Sequence, residues 1–115
     1  LNTSLLHLHH RDTRIHLIDT PGFPDFVGPA LTALEAVETA AVVIDAAAGI
    51  DPVARRMMDT AARRGLCRLL IVNKIDAAGV DLAALVAALR EAFGPECLPL
   101  NLPANGGREV VDCFF

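Results

Sequence analysis

Two apolar runs of this chain end abruptly in polar, turn-forming residues, and this feature constrains the fold more than any other. The first run ends in Asp-Thr-Pro-Gly at positions 19–22, and the second ends in Asn-Lys-Ile-Asp at positions 73–76. Residues 42–44 and 69–72 are short, continuous apolar segments, which is typical of parallel strands buried on both faces. The sequence therefore predicts strands whose ends present polar groups at the edge of a sheet.

Helices are predicted between and after these strands. Asp51 is an N-cap and Pro52 fits the first helical position, while Gly65 marks the end of that helix. Asp81 caps a later helix, which stops at Gly94. Alternation of strands and helices at this spacing predicts βαβ units, and so an α/β fold with a mainly parallel sheet flanked by helices.

The two ends of the chain differ from its centre in their pattern of polar and apolar residues. Residues 4–10 and 14–18 alternate in polarity and predict a β-hairpin, and an early helix is expected over residues 26–38. Beyond residue 95, proline alternates with leucine, which indicates an edge strand or an irregular extended segment. We expect residues 1–95 to be a partial domain and residues 96–115 to begin an inserted β subdomain, with the protein truncated at both ends.

Composition excludes several classes of protein. The apolar stretches are broken by Asp45, Arg68 and Asp76, well short of a bilayer span, so no membrane partner is expected. The net charge of −4 argues against a nucleic-acid clamp. A solvated helix face is the favoured interpretation of the arginine cluster at positions 55, 56, 63, 64 and 68. Three cysteines without a close pair indicate reduced thiols and a cytoplasmic protein.

Several other side chains have a structural and a functional interpretation. His7 and His9 share a predicted strand face, but two imidazoles without a third ligand make a poor zinc site, so a solvated face is favoured. Met57 and Met58 are expected to fill the core. Asp45, at a strand end, could approach a ligand or cap a neighbouring loop, and the sequence does not decide between these.

The first polar loop suits a phosphate-bound metal ion. In open parallel sheets the ligand lies beyond the carboxyl ends of the strands, where both loops are expected to meet along one edge. Asp19 can hold Mg²⁺, usually through water, and Gly22 leaves its backbone N–H free to approach a terminal phosphate oxygen. Pro21 fixes the turn, and Thr20 completes the loop.

The second polar loop suits a guanine base. The Asp76 carboxylate can accept two N–H bonds from guanine, Asn73 can bond the other edge, and the stem of Lys74 can lie along the base plane. Adenine offers neither donor; losing two such bonds, at roughly 1.5 to 3 kcal/mol each, disfavours it by a few hundred-fold or more. The competing interpretation is that both loops are only polar turns that close βαβ units.

These motifs resemble the guanine-nucleotide-binding domain of translational GTPases, and most closely the elongation factor G family. The resemblance extends to Asp25-Phe26, the segments LTALEAVETA and AVVIDAAAGI, and LPLNLP followed by GGREVVD, and so covers nearly the whole chain. It implies a Mg²⁺-dependent switch that binds GTP or GDP and hydrolyses GTP on the ribosome.

The chain departs from the family in three respects. The phosphate-binding loop would lie upstream of Leu1, so we expect the isolated chain to bind GTP weakly or not at all and to be inactive. The loop that completes the guanine pocket would lie downstream. Phe23 occupies the position of the histidine that, in the family, orients the attacking water. This sequence is similar in this respect to some elongation factor G-like paralogues, which have an aromatic residue at the same position. Because phenylalanine has no hydrogen-bond donor or acceptor, a catalytic role for Phe23 is doubtful.

Two alternatives to a hydrolysing elongation factor stay open. One is a non-hydrolysing or slowly hydrolysing module that senses GTP and docks on the ribosome, which Phe23 favours. The other is a different translational GTPase, of a release-factor or antibiotic-resistance type, whose distinguishing domains lie outside these residues.

Overall fold

A computed structural model describes residues 2–114. The chain begins with an antiparallel hairpin of β1 (Ser4–His10) and β2 (Thr13–Asp19), as the alternating polarity predicts. Its two-residue connection is possible because Arg11 adopts a positive φ of 52°. Within residues 2–114 neither face of the hairpin is covered, because leucine and isoleucine side chains on both strands are exposed by between 37% and 71%: Leu5, Leu6, Leu8, Ile15 and Leu17.

The helical segment that follows is shorter than the sequence predicts. A 3₁₀ helix (Pro24–Phe26) leads into α1 (Val27–Ala33), whereas the apolar spacing predicts a helix through residue 38. After α1 the backbone tightens, because Glu35 N–H bonds to Thr32 O and Ala36 N–H to Ala33 O, three residues back in each case. The chain then turns directly into the next strand.

The centre of the molecule is one βαβ unit. β3 (Thr39–Asp45) pairs in parallel with β4 (Cys67–Asn73), and α2 (Pro52–Arg63) connects them. Asp51 caps α2 as predicted, since its carboxylate accepts the Ala54 N–H at 2.7 Å. Both strands are longer than their apolar runs because pairing continues into the flanking polar residues.

Helix α3 (Leu82–Phe93) completes the core. Asp81 caps it by accepting the Ala84 N–H at 3.0 Å, which confirms the predicted start. One buried cluster joins β3, α2 and α3: Ile44, Ala46, Met58, Leu85, Leu89 and Phe93. Met57 and Met58 are exposed by only 9% and 2%, so the prediction that they fill the core is confirmed.

The tail forms a separate antiparallel pair. β5 (Asn101–Ala104) and β6 (Glu109–Asp112) are joined through a short 3₁₀ turn at Asn105–Gly107. β6 is exposed along its whole length, including the apolar side chains of Val110 and Val111. Like the first hairpin, it lacks a packed face within residues 2–114.

The α/β fold class is confirmed, but the sheet differs from the single, mainly parallel one predicted. Strands of the described residues form three two-stranded sheets, of which only β3–β4 is parallel. The radius of gyration is 14.9 Å, whereas a compact domain of this length has about 13 Å. The two exposed hairpins, β1–β2 and β5–β6, account for the larger radius of gyration. No helix within the described residues is both long and apolar enough to span a bilayer.

Candidate functional site

The loop after β2 projects from the end of the hairpin. Asp19 is the last residue of β2, lies opposite Ser4, and is exposed. Thr20 and Pro21 are half-buried, whereas Gly22 is exposed with no described atom within 4 Å of the place where a Cβ would stand. The backbone at Gly22 is therefore open to a close approach by a ligand.

Phe23 follows this loop and begins the 3₁₀ helix. Its backbone is extended, with φ −78° and ψ 145°, and its carbonyl accepts the Phe26 N–H at 2.9 Å. The ring is 62% exposed. The side chain at this position thus faces solvent and contributes an apolar surface without a polar group.

The loop after β4 is anchored to the end of β3. Asn73 lies opposite Asp45 in the parallel register, and the Ala46 N–H donates to Asn73 O at 2.9 Å, which extends the pairing beyond the strand. The Asn73 side chain turns back to accept the Lys74 N–H at 2.9 Å. Lys74 itself has a positive φ of 58°, a conformation that few non-glycine residues adopt.

Lys74 and Asp45 form a close ion pair. The Lys74 Nζ lies 2.6 Å from Asp45 Oδ2, while Asp45 Oδ1 accepts the N–H groups of Ala47 and Ala48 at 2.9 and 3.3 Å. The Lys74 ammonium, followed by these two backbone donors, lowers the pKa of Asp45 below its ordinary 3.8. Asp45 in turn raises the pKa of Lys74 above 10.5, so both groups are charged throughout the neutral range.

Asp76 stands free at the tip of the same loop. It is exposed, and within residues 2–114 its carboxylate has no hydrogen-bond or ion-pair partner. Its neighbour Ile75 packs against the central core cluster, and Gly107 of the tail approaches the Ile75 carbonyl closely. The loop is therefore held at its base and along one side, and it presents an unpaired carboxylate to solvent.

Among the predicted base residues, the Asn73 side chain bonds to the Lys74 N–H, but no polar contact joins this loop to the predicted phosphate residues within residues 2–114. Both loops follow the carboxyl ends of their strands, as predicted, yet β2 and β4 belong to different sheets. Within residues 2–114, no hydrogen bond or ion pair joins residues 19–23 to residues 73–76. Their common edge therefore stays a prediction.

Asp45 is the residue that the sequence left undecided, and the structure connects it to the second loop. The signal was present in the sequence: Asp45 and Asn73 each end a strand of the same βαβ unit, and parallel pairing brings such ends together. The part of the chain that the structure describes contains no group of three or more histidine, cysteine or acidic side chains that could hold a metal ion. His7 instead lies across the hairpin from His16, with 6.4 Å between ring centroids.

Parallel β3 and β4, joined through α2 and followed by polar loops, define an α/β domain whose ligand site is expected at the carboxyl ends of the strands. Residues 1–110 match the elongation factor Tu GTP binding domain. This chain therefore belongs to that family of GTP-binding domains.

The relatives with similar sequences are translation factors by name. Elongation factor G 2 of Streptomyces coelicolor is 43% identical over 102 residues, which cover 86% of this chain and 15% of that protein. Peptide chain release factor 3 of Levilactobacillus brevis is 33% identical over 114 residues, covering 99% of this chain and 22% of that protein. The chain thus spans about a fifth of the length of these relatives.

A solved structure supports the fold. The crystal structure of a protein from Thermus thermophilus superimposes with a TM-score of 0.86 at 40% identity, covering 96% of this chain and 17% of the other. The resemblance to translational GTPases stated from the motifs is confirmed.

Proposed function

We propose that this chain is part of the GTP-binding and GTP-hydrolysing domain of a cytoplasmic, ribosome-associated factor similar to elongation factor G. Residues 1–95 belong to the GTP-binding domain and residues 96–115 begin an inserted subdomain. The observation that carries the proposal is the free carboxylate of Asp76, presented by a loop that Asn73 and Lys74 anchor. A carboxylate whose two oxygens were already occupied by protein donors would have to release them before it could bind a base.

At the base end, Asp76 accepts hydrogen bonds from the N1–H and the exocyclic amine of guanine. Lys74 lays its aliphatic stem along the base plane, and Asn73 faces the other edge of the base. Because Asp76 has no partner in the described chain, binding guanine breaks no internal bond of its side chain.

At the phosphate end, Asp19 contributes one carboxylate toward Mg²⁺, and Gly22 contributes its amide toward the terminal phosphate. An exposed carboxylate at a strand end fits a water-mediated contact, since Mg²⁺ keeps most of its waters. Thr20 and Pro21 shape the turn between them. Bound Mg²⁺ would neutralise charge on the phosphates. These residues alone supply few of the backbone donors and cations that a triphosphate needs, so we expect the isolated chain to bind nucleotide weakly and not to hydrolyse it.

The second candidate is a domain that binds GTP and docks on the ribosome but hydrolyses it slowly or not at all. The exposed Phe23 ring favours this candidate, because it offers no polar atom to a water molecule. A third possibility is another translational GTPase, and the likeness to peptide chain release factor 3 supports it. Single-turnover hydrolysis by the full-length protein separates the second candidate from the other two.

The base site is tested with Asp76→Asn in the full-length protein. The amide can accept from N1–H but can no longer accept from the exocyclic amine, while its NH₂ can donate to the C2 carbonyl of xanthine. We expect affinity for GDP to fall by roughly 100-fold and affinity for xanthosine diphosphate to rise, as measured by calorimetry.

The control is Asp12→Asn, the same change in an exposed residue at the turn of the first hairpin. It should leave both affinities unchanged. Unaltered selectivity for guanine in Asp76→Asn would mean that Asp76 is only a turn residue, and the proposed base site would be wrong.

A further inference from the structure

The ends of β3 and β4 leave the sheet side by side. Asp45 and Asn73 are paired in register, and the Ala46 N–H bond to Asn73 O carries the pairing one residue further. The loops that follow β3 and β4 therefore begin next to each other, at strand ends that are hydrogen-bonded to one another. Asp45, although distant in sequence, is a direct neighbour of the loop that contains Lys74 and Asp76.

The Asp45 carboxylate is oriented by its own loop before it meets Lys74. Its Oδ1 accepts N–H groups of Ala47 and Ala48, which leaves Oδ2 directed at Lys74 Nζ at 2.6 Å. A carboxylate held by two backbone donors loses little further freedom when it binds an ammonium group. Within residues 2–114, Asp45 is the only acidic side chain that pairs with Lys74.

Lys74 needs such a partner because its backbone is in a sparsely populated conformation. Its φ of 58° is left-handed, and a lysine held there depends on surrounding contacts. The Asn73 side chain fixes its N–H, and Asp45 fixes the far end of its side chain. The aliphatic stem between these two points has a defined course across the loop.

We propose that Asp45 is a positioning residue of the guanine-binding loop, acting through Lys74. This inference rests on the proposed function, in which the Lys74 stem supports the base. Asp45 does not touch the nucleotide; it holds the ammonium group so that the stem and the neighbouring Asp76 are already placed when guanine binds. Loss of Asp45 releases Lys74 and weakens nucleotide binding.

The ion pair is too exposed for overall stability to be its main effect. The Lys74 side chain is 64% exposed and that of Asp45 34%, and pairs of this kind contribute little to folding and are screened by salt. The consequence is therefore expected in nucleotide affinity, mainly in the dissociation rate, and not in the melting temperature.

The test is a double-mutant cycle in the full-length protein, read out as GDP affinity and melting temperature. Asp45→Asn keeps an acceptor for the Ala47 and Ala48 N–H groups but removes the charge. We expect roughly two- to fivefold weaker GDP binding, an unchanged melting temperature, and a smaller loss in 1 M salt. In a Lys74→Met background the same change should have no effect on affinity.

The matched control is Glu35→Gln, which breaks the Arg64–Glu35 pair. That pair has similar exposures, 34% and 66%, and a 3.0 Å contact, but lies away from the loop. It should leave GDP affinity unchanged. An equal loss for Asp45→Asn with and without Lys74, or no loss at all, would overturn the inference. If Asp76→Asn still changes base selectivity in that case, the proposed function stands without it.

Discussion

Single side chains at strand ends determine what each polar loop can do. Asp45 and Asn73 fix the second loop with bonds to backbone and to Lys74, which leaves Asp76 as its free group. In the first loop, the residue that follows the open Gly22 is Phe23, and its ring faces solvent. At the scale of residues, the loop proposed to bind the base carries several polar groups, whereas the position proposed to orient water carries none.

Replacing Phe23 with histidine tests this difference. In the full-length protein with ribosomes, Phe23→His supplies a donor and an acceptor where the ring now stands, so we expect single-turnover GTP hydrolysis to accelerate by about tenfold or more. Phe23→Leu, which keeps the position apolar, is the control and should match the wild type. Equal, fast hydrolysis in all three proteins would show that Phe23 does not limit water positioning.

At the scale of elements, the helix caps, the first hairpin and the central βαβ unit could be predicted, whereas the end of α1 and individual side-chain contacts could not. Asp51 and Asp81 cap α2 and α3 as the sequence indicates, because capping depends on residues only three positions apart. Helix α1 ends before its apolar spacing does, since the backbone tightens after residue 33. The contact between Asp45 and Lys74 spans 29 positions. The βαβ pattern predicts that the ends of β3 and β4 lie together, but only the strand register determines which side chains meet.

The β5–β6 tail also contacts the loop after β4, which carries Asp76, and the effect of this contact can be tested. A Cβ on Gly107 would collide with the Ile75 carbonyl and stand 3.0 Å from the Asp76 nitrogen, whereas a Cβ on Gly106 would meet no described atom within 4 Å. Both glycines have positive φ, 81° and 64°, so alanine strains the backbone in both cases.

We therefore expect Gly107→Ala to displace the loop and weaken GDP binding by roughly tenfold, because a Cβ this close to the Ile75 carbonyl forces the backbone to move, and misplacement by about 1 Å can cost about 100-fold. Gly106→Ala serves as the control for backbone strain and should change the affinity less than twofold. The measurement is calorimetric titration of the full-length protein. Equal affinities of the two variants would show that the tail does not position Asp76.

At the scale of the whole molecule, the exposed faces of the two hairpins distinguish the observed sheets from the single sheet predicted. The family and the α/β class follow from motifs and alternation, and both are confirmed. The single sheet does not form within residues 2–114, because β2 and β3 do not pair and both faces of the first hairpin lack cover.

The central claim is that one guanine nucleotide lies between the two polar loops. An experimental structure of the full-length protein with Mg²⁺ and a non-hydrolysable GTP analogue tests it most directly. We expect the Asp76 carboxylate within about 3.2 Å of guanine N1 and the Gly22 nitrogen within about 3.2 Å of a γ-phosphate oxygen. A nucleotide that contacts only one of these loops, or neither, would contradict the account.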